Sequence, residues 1–85
     1  MPLYMDIHTI GEGSGVSFDD VAKAHMADLQ TQESYDVRYL RYWVNEAAGK
    51  VFCLAEAPSA EAAVAVHRES HGLLADEIFE VQEGS

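Results

Sequence analysis

His67 and His71 stand four residues apart, separated by Arg68, Glu69 and Ser70. On a helix that spacing stacks both imidazoles on one face. Neutral imidazoles so placed can share one transition-metal ion, as they do in the zinc-protease motif. The glutamate that follows the first histidine in that motif is replaced here by Arg68, which excludes a metalloprotease. The pair also has a plainer reading. His67 would pack against a sheet, and His71 would sit at the negative end of the helix dipole, where a cation is favoured.

Other residues offer similar chemistry. Asp6 and His8 fall two apart in an alternating stretch and point the same way on a strand, so they form a second candidate ligand set. His25 is a weaker candidate: it falls in the middle of the apolar stripe of its helix, where a histidine is commonly just hydrogen-bonded. Asp28, Glu56 and Glu80 are further possible oxygen ligands. Cys53 is the sole cysteine. It excludes an internal disulfide and a four-cysteine zinc site, and it reads first as a small buried apolar residue. A Cys–His hydrolase would need a histidine beside Cys53 and a third orienting group, and no spacing demands that. Candidate metal ligands are therefore His67, His71, His8, Asp6 and His25.

The elements that must position these residues follow from pattern and punctuation. Leu3 to Ile10 alternates as a strand, with Leu3, Met5 and Ile7 on one face and Tyr4, Asp6 and His8 on the other. The glycine loop Gly11 to Gly15 lacks the lysine and spacing of a phosphate cradle and reads as a connector. Ser17 opens a helix to about Gln32, with Asp20 as its capping partner. Phe18, Val21, Ala22 and Leu29 form its inner stripe. Val37 to Val44, rich in β-branched and aromatic residues, is a second strand. Asn45 to Gly49 is a hairpin loop, and Val51 to Leu54 starts a third strand that Pro58 ends. Ser59 caps a helix over Ala60 to His71, and Gly72 closes it. Ile78 to Val81 is a last short strand.

This order, βαββαβ, predicts an α+β ferredoxin-like fold: a four-stranded antiparallel sheet with both helices on one face. The sequence predicts that the open face carries Tyr4, Asp6, His8, Tyr39 and Trp43, with Cys53 beside them. Such a face is too apolar for water, so the expectation is a homodimer that pairs sheet against sheet.

Composition narrows the function further. The chain has 85 residues, the length of one domain with a modest core, here residues 1–85. Its formal charge of −10, with five basic against fifteen acidic residues, argues against nucleic acid, which needs a basic face. It suits cations, or simply solubility. The opening Met-Pro-Leu-Tyr-Met-Asp-Ile-His has no basic leader, and no long apolar run follows. The expectation is a cytoplasmic protein with no membrane partner.

Tyr39 to Ala63, YLRYWVNEAAGKVFCLAEAPSAEAA, together with His67 to Val81, HRESHGLLADEIFEV, and the opening Met5 to Ile10, MDIHTI, resembles a family of small bacterial nickel-binding, nickel-responsive proteins. The resemblance covers nearly the whole chain, the glycine loop excepted. It implies a ferredoxin-like homodimer that binds nickel at its surface, a role in nickel sequestration or detoxification, and no catalytic activity. The residues also allow another class: a small-ligand-binding protein or enzyme of the dimeric α+β barrel type. That class would use a cavity near His25, Cys53 and Tyr39.

Overall fold

Ser17 and Ser59 fix where the two helices begin. Each sits in extended backbone, and its hydroxyl accepts a hydrogen bond from the main chain three residues on, Asp20 N–H and Ala62 N–H respectively. Each thus satisfies one orphan donor of a first turn that also carries acidic residues. The computed structural model describes residues 1–84. Its elements are β1 (Leu3–Thr9), α1 (Phe18–Thr31), a 3₁₀ turn (Gln32–Tyr35), β2 (Arg38–Asn45), β3 (Lys50–Glu56), α2 (Ala60–Ser70) and β4 (Glu77–Val81). His71 is the C-cap of α2, and Gly72 follows at φ 78°. The Gly72 N–H reaches the His67 carbonyl at 2.8 Å, a closure glycine makes without steric cost.

The strands form one antiparallel sheet in the order β2-β3-β1-β4. This is the ferredoxin-like α+β arrangement that the element order predicts. β1 lies inside the sheet, with Asp6 opposite Cys53 on β3 and opposite Ile78 on β4. The core joins Val21 of α1 and Ala63 and Val66 of α2 to Tyr39, Val51, Cys53 and Ala55 of the sheet. At the hairpin, Gly49 has φ 65°, and its carbonyl accepts from Ile10 N–H at 2.7 Å and Gly11 N–H at 3.1 Å. A Cβ there would overlap the Gly11 backbone, so only glycine lets the β2–β3 turn lie this close to the end of β1. Among the described residues no helix is long and apolar enough to cross a membrane.

The two faces of β1 are the reverse of the sequence expectation. Asp6 and His8 are buried beneath α2, and Cys53 joins them there. Leu3, Met5 and Ile7 point to the side that no helix covers. Alternation alone assigns the apolar face to the core, but here the polar face finds internal partners on α1, α2 and β2. Most of its polar atoms are therefore paired inside the protein, and the apolar face is left outside.

β2 departs from simple alternation as well. Its pairing runs Tyr39 to Ala55 and then Arg41 to Leu54, so Leu40 is an extra, bulged residue. The bulge moves the inward set from Tyr39 to Tyr42 and Val44 and turns Trp43 outward. Tyr39 and Trp43, expected on one face, lie on opposite ones: Tyr39 is 3% exposed and Trp43 46%. On α1 the buried residues are Val21 and Asp28. Phe18 and Leu29, expected in the core, are both exposed.

Candidate metal centre

The site is assembled from five elements. β1 supplies Asp6 and His8, β3 supplies Cys53, β2 supplies Tyr39, α1 supplies Asp28, and α2 supplies His67, Ser70 and its cap residue His71. The antiparallel register sets Cys53 beside Asp6. The one-stripe geometry of α2 holds His67 over the strands and His71 one turn later.

His67 is the hub. Its Nε2 lies 2.9 Å from Asp6 Oδ2, and its Nδ1 lies 3.0 Å from Asp28 Oδ1. An imidazole between two carboxylates is held as the cation. Burial opposes the charge, but the hydrogen bonds to Asp28 and Asp6 prevail and raise the His67 pKa to about 11. His67 is 2% exposed. Burial likewise works against the Asp6 carboxylate, yet the hydrogen bond from His67 and the charges of His67 and His8 hold its pKa at about 2. Asp28 is also pulled well below the carboxylate range despite its burial. Hydrogen bonds from His67, His71 and Ser70 cause this, the Ser70 hydroxyl donating at 2.6 Å.

His8 sits against the same carboxylate, with Nε2 at 3.1 Å from Asp6 Oδ1. Burial alone would lower its pKa; the pairing with Asp6 and contact with Cys53 raise it to about 9. The approach of His8 is off the line of a hydrogen bond, so Asp6 Oδ1 is a buried oxygen without a hydrogen-bonding partner. The other oxygen is crowded, because the Tyr39 hydroxyl donates to Oδ2 at 2.9 Å and also lies 3.2 Å from the Ala63 carbonyl. The phenol is pushed far up, by burial first and then by Asp6. It stays protonated and can only donate toward this carboxylate. The Tyr39 ring stacks on His67 with centroids 4.5 Å apart.

His71 completes the outer side. Its Nε2 is 3.2 Å from Asp28 Oδ1 and 3.1 Å from His67 Nδ1. Its Nδ1 accepts the Leu73 N–H at 3.1 Å. A backbone amide can only donate, so the proton of the uncharged His71 ring resides on Nε2.

Two groups of ligand atoms result, each with all members within 4.8 Å of one another: Asp6, His8, Cys53 and His67, and Asp28, His67 and His71. Donors at the usual 2.0–2.3 Å from one ion lie at most about 4.6 Å apart, so small shifts would close either group on a metal. The donor set is imidazole nitrogen, carboxylate oxygen and sulfur, which suits a borderline transition ion. Asp6 Oδ1, buried without a hydrogen-bonding partner although His8 Nε2 lies 3.1 Å away, is the atom a metal ion would engage.

Of the sequence candidates, Asp6, His8, His67 and His71 come together in this network. His25 does not join them: its ring lies 4.7 Å from that of Tyr42, and burial lowers its pKa. It lines the wall of a cavity of about 260 Å³ between α1, the ends of β1 and β3, and the Gly72–Leu74 segment. The floor of this cavity includes His8, Asp28, His67 and His71; its walls include Val16, Val21 and Leu73. Of the two histidines expected to form an open site on α2, His67 is buried against the sheet and His71 is half-buried beside Asp28 of α1. Sequence reasoning ranked Asp28 low; Cys53, read as a core residue, is one and also lies in a ligand group. The signal for Asp28 was its spacing of seven from Val21, which puts it on the same helix stripe. The Tyr39 hydrogen bond had no sequence signal.

Comparison with known proteins agrees with this fold. No curated protein matches the chain. Among solved structures, that described as the crystal structure analysis of SCO4226 from Streptomyces coelicolor A3(2) is 38% identical, with a TM-score of 0.86; the match covers 98% of this chain and 99% of that one. The model of the family described as nickel responsive protein SCO4226-like matches residues 4–81. The chain belongs to this SCO4226-like family of nickel responsive proteins.

Proposed function

We propose that this protein binds nickel(II) at the Asp6–His8–Cys53–His67 group and serves in nickel sequestration or detoxification, without catalysing a reaction. The observation that carries this is Asp6 Oδ1, a buried carboxylate oxygen with no hydrogen-bonding partner, set among two imidazoles and a thiol. His8 Nε2 approaches it at 3.1 Å without hydrogen-bond geometry, and an ion between the two would bond both the oxygen and the nitrogen. Asp6, His8, His67 and Cys53 would hold the ion, and Asp28 would hydrogen-bond the far nitrogen of His67. A carboxylate behind a ligating imidazole is the common way of orienting it. Nickel(II) accepts nitrogen, oxygen and sulfur donors of this kind.

The same reading places the protein in the cytoplasm as a homodimer. Support for the dimer comes from the helix-free sheet face, where Met5, Ile7, Phe52, Trp43 and Phe79 adjoin through the strand register. A second copy would cover that apolar area.

One observation favours a second reading, a small-ligand-binding protein. The cavity at the centre has the apolar walls and few polar groups of a ligand pocket, although its 260 Å³ is small for one. Nickel titration by calorimetry at neutral pH separates the two readings. Uptake that disappears in His67→Ala, still folded by circular dichroism, supports the nickel centre, because His67 belongs to both groups of ligand atoms. No uptake by the parent, with an organic molecule recovered by native mass spectrometry, supports the cavity instead.

A further inference from the structure

His67 belongs to both groups of ligand atoms, and it enters them through opposite sides of one ring. Nε2 lies 2.9 Å from Asp6, the carboxylate grouped with His8 and Cys53, while Nδ1 lies 3.0 Å from Asp28 and 3.1 Å from His71 Nε2. A neutral imidazole has one lone pair, because its other nitrogen carries the proton. We infer that the centre holds one metal ion at a time on either of two faces of His67, an inner set of Asp6, His8 and Cys53 or an outer set of Asp28 and His71. This rests on the nickel reading above and adds that the two sets are mutually exclusive.

The geometry also ranks them. On the inner set the ion leaves His67 Nδ1–H donating to Asp28 as it already does, at 3.0 Å. The inner residues Asp6, His8 and Cys53 are 2%, 8% and 7% exposed, respectively, so water competes little. On the outer set the proton of His67 must move to Nε2, where Asp6 Oδ2 at 2.9 Å can accept it. His71 Nε2 must also give up its proton, and Leu73 N–H then loses its acceptor Nδ1. The outer set is therefore the weaker hold, and it lies at the floor of the cavity. Residues of both sets line that cavity, so either set would be reached from the same pocket.

The test counts nickel ions bound per chain by equilibrium dialysis and metal analysis. It compares the parent, His8→Ala, His71→Ala and the double variant His8→Ala/His71→Ala. Sites elsewhere on the surface are a constant background. Exclusive sharing predicts the same ion count in the parent and in each single variant, and a count lower by one only in the double variant. The thiolate-to-nickel absorption band reports the inner set, because Cys53 is the only cysteine. It should fade in His8→Ala and persist in His71→Ala. If the double variant does not fold, Cys53→Ala/His71→Ala takes its place with the same expected loss. Loss of one ion in each single variant means two ions bridged by an imidazolate and overturns the inference while leaving the nickel reading intact. Loss in His8→Ala alone removes the outer set and also overturns it. A double variant that keeps the parental count removes the nickel centre itself.

Discussion

Asp6 Oδ2 and His67 Nε2 meet at 2.9 Å across 61 residues of sequence, both buried. The contact ties the central strand to α2, and His67 extends it to Asp28 on α1. Asp6→Asn removes the charge that faces two imidazoles. Breaking a buried pair in this way costs about 3–5 kcal/mol. Urea unfolding of the metal-free protein should show a loss of this size. A midpoint equal to that of the parent would mean that the pair carries no stability.

The metal-free protein should be most stable in mildly acidic solution. His67 and His8 have pKa values raised to about 11 and about 9 from 6.5. Their contribution is full below pH 6.5 and declines as pH rises through 9 and 11. Asp6 is lowered to about 2 from 3.8. Its contribution is full above pH 3.8 and is lost as pH falls through 2. Melting temperature against pH should therefore plateau between roughly pH 4 and 6.5 and fall on both sides. A rise in stability from pH 6.5 to 9 would contradict the assignment of these imidazoles as buried cations.

Nickel uptake should release protons. His67 and His8 carry theirs at pH 7, and each must lose one to offer a lone pair. About two protons leave per ion, and a third where Cys53 binds as thiolate. Calorimetry in buffers of different ionisation enthalpy measures this directly. The apparent affinity should fall steeply on acidification. Binding without proton release would place the ion elsewhere on the molecule.

The open sheet face should make the dimer. Light scattering at micromolar concentration should give twice the chain mass of 9.3 kDa. Phe79→Glu and Trp43→Glu place charges on exposed apolar positions of that face. Each should halve the mass while leaving the helical circular dichroism signal unchanged. A monomeric parent would sink the proposed interface.

Local chemistry was legible without the structure. Ser17, Ser59 and Gly72 mark helix ends because a hydroxyl cap or a positive φ is a property of one residue and its nearest neighbours. The order of strands and helices follows from apolar period and turn residues, and it leads to the ferredoxin-like sheet. The spacing of His67 and His71 pointed to one helix face, and the pairing of Asp6 with His8 to one strand face. The sequence did not determine which side of β1 turns inward. That choice depends on whether Asp6 and His8 find partners, and those partners lie on α1, α2 and β2, far along the chain. The bulge at Leu40, which sends Tyr39 under the helices and Trp43 outward, likewise exists only in the pairing with β3. Tertiary structure merged two separate-looking ligand pairs into one buried network around His67. A buried charge is tolerable only where several distant groups converge on it at hydrogen-bonding distance, and no local pattern records that convergence.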